Sequence, residues 1–118
     1  MDYNEICLKI YNDYLANPNK YDNNSCIKLE FDINFVNEFM RLVSCDKNLS
    51  YKILLPAFFA TKINRNIIDV DVIFDGKQII IKLYGLKMDS DIHKQDRYLV
   101  YELVITNKSY VKNARNVI

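Results

Sequence analysis

The chain has 118 residues, of which 50% are apolar and 26% charged, with a formal net charge of +1. That is the composition and length of one globular domain, read here as residues 1–118, and excludes a disordered segment or a two-domain chain. Two glycines, two prolines and one histidine exclude a Gly-rich phosphate cradle and any metal site built on two imidazoles, and the near-balanced charge is unlike that of a dedicated nucleic-acid binder.

Residues 3–15 are predicted to form a helix, because Tyr3, Ile6, Cys7, Ile10, Tyr11, Tyr14 and Leu15 recur at spacings of three and four. Asp2 caps it and Asn17-Pro18 ends it, leaving 17–25 as a polar, Asn-rich loop. Ile27, Leu29 and Phe31 alternate with Lys28 and Glu30, a short half-buried strand. Asp32 then caps a second amphipathic helix over 33–45, carried by Phe35, Val36, Phe39, Met40, Leu42 and Val43. Residues 51–63 allow two readings, a strand over 51–55 or a short helix over about 55–62 with Pro56 in its first turn, and the helix is preferred.

Two β-branched runs over 67–84 flank Asp75-Gly76, the dipeptide of a tight hairpin turn. A turn on those two residues sets Phe74 opposite Lys77 and Asp69 opposite Lys82. It collects Ile68, Val70, Val72, Phe74, Ile79, Ile81 and Leu83 on an inner face. The outer face then carries Ile67, Ile73, Ile80 and Tyr84 among Asp69, Asp71, Gln78 and Lys82. After a charged loop over 87–96, a strand is expected over 97–106 with Leu99, Tyr101, Leu103 and Ile105 on one side. The tail 109–118 reads as a fourth short strand or a helix. The fold class expected is therefore α+β: two or three helices, mostly N-terminal, packed on one face of a three- to four-stranded antiparallel sheet with its tight hairpin at 75–76.

Ile, Asn, Lys and Tyr account for 50 of the residues, the coding drift of an AT-rich genome: a low-GC bacterium, its phage or plasmid, or a large DNA virus. Asp2 and Glu5 stand where a secretory signal would be basic, no apolar run approaches ~20 residues, and the three cysteines show no CxxC spacing. A cytoplasmic protein of the bacterial or host cell is expected, with Cys7 and Cys45 as buried free thiols on apolar helix faces.

No residue is assigned a catalytic, metal or cofactor role, and an enzyme built on a carboxylate pair stands as a third reading behind the two that follow. Asp89, Asp91, His93 and Asp96 open like a calcium loop, but Lys94 and Val100 stand where Gly and Glu are required. Asp69, Asp71 and Lys82 lack the further acid a metal nuclease needs, because Ile80 occupies its place. His93 has no nucleophile or orienting acid placed beside it. What remains is a half-apolar outer sheet face, with Ile67, Ile73, Ile80, Lys82 and Tyr84 as candidate binding residues. That points to a small non-catalytic protein-binding module of the inhibitor, immunity or anti-defence type, whose partner is another protein or a second copy as a homodimer. The alternative is a winged-helix-like nucleic-acid binder using Lys108, Tyr110, Lys112 and Arg115 of the tail. Against it, Ala57, Phe58, Phe59 and Ala60 would give a recognition helix with little to offer base edges.

Overall fold

A computed structural model describes residues 1–88 and 95–107. Helix α1 (Tyr3–Ala16) starts where Asp2 accepts the Glu5 N–H at 2.9 Å, and buries Tyr3, Ile6, Cys7 and Ile10. The polar loop expected next is in part a helix, α2 (Pro18–Asn23). Proline suits its first turn, where the missing N–H would have had no partner. Its anchor is Tyr21, which is 2% exposed, and whose hydroxyl donates to Asp13 on α1 at 2.9 Å.

Strand β1 (Cys26–Phe31) buries Ile27 and Leu29. Helix α3 (Ile33–Ser44) follows, with Asp32 accepting from the Asn34 and Phe35 N–H groups and Phe35, Val36 and Phe39 buried. Cys45 is exposed rather than buried. It caps the C-terminal end of α3, where the helical period that pointed it inward has run out.

Helix α4 (Tyr51–Lys62) begins four residues before the expected start and holds Pro56 in its interior. An internal proline costs about 3 kcal/mol. Tyr51, Leu55 and Phe59, spaced by four and all buried, offset that, since each large apolar side chain contributes about 1.5–3 kcal/mol. Asp46 supplies what α4 lacks at its start. Its carboxylate accepts the Tyr51 N–H at 3.1 Å and the Tyr3 hydroxyl at 2.7 Å, fastening α4 to α1.

Strands β2 (Ile67–Asp75), β3 (Gln78–Met88) and β4 (Gln95–Asn107) complete one sheet of order β1-β4-β3-β2. The sheet is mixed, not antiparallel: β1 runs parallel to β4, with Cys26 opposite Glu102 and Phe31 opposite Asn107. Chain direction explains this. Helices α3 and α4 carry the chain from one sheet edge to the other, so β2 enters in the sense of β1, and two reversals bring β4 back to that sense.

The first reversal is one residue later than expected. Asp75 pairs with Gln78, and Gly76 with Lys77 forms the turn. Gly76 has φ +61° and is the first turn residue, the pattern of a type II′ rather than a type I′ turn. Ile73 therefore faces Ile80, and Asp71, not Asp69, faces Lys82. Because each partner moves by two residues, the side-chain faces on either side of the turn survive the correction.

The inner face of the sheet buries Ile27, Leu29, Val70, Ile79, Ile81, Leu83, Leu103 and Ile105 together with the apolar sides of the helices. The described residues form four helices, not two or three. Phe74, on the inner face of the sheet, is 41% exposed.

Candidate functional site

Strand alternation places Ile80, Lys82 and Tyr84 of β3 on the face away from the helices, and none of them is buried. Cross-strand register then extends each one sideways into a row. Ile80 lies between Ile73 on β2 and Val104 on β4, with Lys28 on β1 beyond. Lys82 lies between Asp71 and Glu102, with Cys26 beyond. Tyr84 lies between Asp69 and Leu99. The outer face is thus striped across its strands: an apolar row, a charged row, and a row with Tyr84 and Leu99 side by side.

Ile67 does not belong to it. Ile67 pairs with Gly85 and Asp69 with Tyr84, leaving Ile68 as a bulge. One extra residue inverts the alternation of the strand, so Ile67 is in the core at 2% exposure while Ile68 is exposed. A second bulge acts on β4: Leu83 pairs with Tyr101 but Tyr84 with Leu99. Leu99 therefore turns outward and is 41% exposed, where strict alternation had placed it with Tyr101. Ile73, Ile80, Lys82 and Tyr84 do share the outer face. Val104, Leu99, Glu102 and Arg97 were missed, since the sequence of 87–96 holds neither Gly nor Pro to announce a register for β4.

Charge on this face is mostly paired. The Arg97 guanidinium stacks on the Tyr84 ring at 4.2 Å, meets Asp69 at 2.7 Å and lies 3.5 Å from Asp71. Lys52 of α4 donates to Asp71 at 3.0 Å. The Lys52 hydrogen bond, helped by Arg97, holds the Asp71 carboxyl below the usual carboxylate range, and Asp71 in turn raises Lys52. Lys82 and Glu102 are further apart, at 4.0 Å, the limit for an ion pair.

Among the described residues no group of three or more His, Cys, Asp or Glu side chains is placed to hold a metal ion. Asp89, Asp91 and His93, and the tail residues Lys108, Tyr110, Lys112 and Arg115, lie outside the described residues. No described helix is long and apolar enough to cross a membrane.

A second feature is an apolar groove of about 510 Å³ between α1 and α4, lined by Tyr3, Cys7, Leu54, Ala57 and Phe58, with Lys62 at its rim. Burial, with a smaller contribution from Asp2, pushes the Cys7 thiol up to about 12. The groove thus holds a protonated thiol, not a nucleophile. Comparison of the chain with protein-family models, curated proteins and solved structures finds no match.

Proposed function

We propose that this chain is a small protein-binding module, of the inhibitor, immunity or anti-defence kind, that takes its partner on the open face of its sheet and does no chemistry on it. The observation that carries the reading is the in-register row Ile73, Ile80 and Val104, left without a helical cover among the described residues and accompanied, across the charged row, by Tyr84 and Leu99. A sheet face with one side on a core and the other in water ordinarily alternates apolar-in and polar-out. Apolar side chains in register on the wet side are what an interface core needs, and the charged row between them sets which partner can be accepted. The sign of the charge favours protein over a phosphate backbone: Glu30, Asp69, Asp71, Asp75 and Glu102 outnumber Lys28, Lys82 and Arg97 on this face.

The test places a photo-crosslinking side chain at Ile73 or Val104, and separately at Leu54 in the α1–α4 groove, in cells that produce the protein. Discrete protein adducts are expected from the sheet positions and not from Leu54. Ile73→Lys combined with Ile80→Lys should leave the far-ultraviolet circular dichroism intact and remove adducts formed through Val104. Adducts that form only at Leu54, or that survive the double substitution, would transfer the binding site to the helical side.

A further inference from the structure

We infer, building on the reading of the open face as a docking surface, that its occupant is a second copy of this chain. The copy is seated face to face about a two-fold axis running parallel to the strands between β3 and β4. Those are the two middle strands of the order β1-β4-β3-β2, so an axis on that line gives the largest overlap of the two sheets.

The register fixes what meets what. Rotation about such an axis keeps every row at its own level and exchanges β3 with β4 and β2 with β1. Each β3 residue comes to lie over the second copy of its own cross-strand neighbour: Ile80 over Val104, Lys82 over Glu102, Tyr84 over Leu99. Every one of these matches is apolar on apolar or cation on anion. Toward the edges, Ile73 lies over Lys28 and Asp71 over Cys26, and one like-charged match, Asp75 over Glu30, falls at the outer corners by the hairpin end, where both side chains are exposed to water. A two-fold interface must be complementary to itself, and the three central rows on β3 and β4 are.

The charged row supplies the discriminating contact. Lys82 and Glu102 stand 4.0 Å apart within one chain, and neither has a shorter ion pair among the described residues. A facing copy gives each a second partner of opposite sign, so two lysines and two glutamates alternate around the axis. Desolvated at the centre of an interface, such a square contributes more than one exposed pair and penalises any like-charged neighbour. Four strands about 4.8 Å apart and rows spanning about 26 Å give roughly 500 Å² per copy, about 1,000 Å² in all, the lower end of specific interfaces. Aligned packing of two sheets about 10 Å apart is an ordinary arrangement.

Sedimentation velocity across micromolar to millimolar concentration tests this. The wild-type chain is expected to move with concentration from 14.0 kDa toward twice that mass. Lys82→Glu and Glu102→Lys should each stay monomeric, since each sets like charges against one another across the axis. Mixing the two variants should restore association, because each then carries what the other lacks. The chain bearing both substitutions keeps its internal pair and should associate with itself, which controls for folding. A wild-type chain that remains monomeric throughout overturns the second-copy assignment and leaves the docking face to be judged by its crosslinks. Association that persists in either single variant, or a mixture of the two that stays monomeric while wild type associates, overturns this two-fold geometry.

Discussion

Cys7 is 1% exposed, and its thiol, held protonated by burial, differs in reactivity from the two exposed thiols of Cys26 and Cys45. Thiolate is the reacting species. At about pH 8, a disulfide reagent should titrate two of the three thiols of the folded protein quickly and the third only on unfolding. Three fast equivalents would show that the α1–α4 groove opens down to Cys7. Gly85 gives a second residue-scale expectation. A Cβ placed there would lie 2.6 Å from the Tyr98 ring, its cross-strand neighbour. Gly85→Ala should therefore displace the ring and lower stability by about 1 kcal/mol. In a Tyr98→Ala background the clash is gone and the stiffer backbone wins. The same substitution should then stabilise by roughly 0.5 kcal/mol. Urea midpoints of the four chains check the sign change, and an unchanged sign would mean that the ring is not what Gly85 makes room for.

Elements could be read from the sequence wherever a local cause fixed them. Asp2 and Asp32 announce α1 and α3 because a carboxylate that can take an orphan N–H is a local event. Asp75-Gly76 announces the hairpin. Its placement was off by one residue because glycine satisfies the first position of a II′ turn as readily as the second of a I′ turn. Ile73, Ile80, Lys82 and Tyr84 were placed on the outer face because they lie between that turn and the first bulge on each strand. Beyond the bulges the period of two misleads: nothing at Ile68 or Val100, neither Gly nor Pro, marks an extra residue. The parallel docking of β1 on β4 has no local cause at all. It follows from where two helices deliver the chain, while Glu102, Val104, Leu99 and Arg97 became site residues only through the pairing of β4 with β3. The bulge in β2 reverses the roles of two neighbouring isoleucines, and this can be measured. Ile67→Ala should cost about 2–4 kcal/mol as a core truncation, and Ile68→Ala about 0.5 kcal/mol or less. Equal costs, or a larger cost at Ile68, would place the strand in its regular, unbulged register.

At the scale of the molecule, carboxylates join helix to helix and helix to sheet, beside the apolar core. Asp46 gathers α1 and α4, and Asp71 joins α4 to β2 and to Arg97 on β4. Both carboxyls are held below the usual range, Asp46 first by the Ser50 backbone N–H and then by the Tyr3 hydroxyl, Asp71 first by Lys52. A carboxylate whose pKa is lower folded than unfolded stabilises the fold fully above its unfolded value, near 3.9. That contribution is lost as pH falls through the lower, folded value. Urea midpoints should therefore vary little through these two groups from neutrality down to about pH 5, then decline on further acidification. Asp46→Asn and Asp71→Asn should each begin less stable at neutral pH and decline more gently, converging on wild type at the acid end. Curves for the two variants that run parallel to wild type down to the lowest pH would remove both carboxylates from the acid transition. The joining of layers would then rest on the apolar core between them.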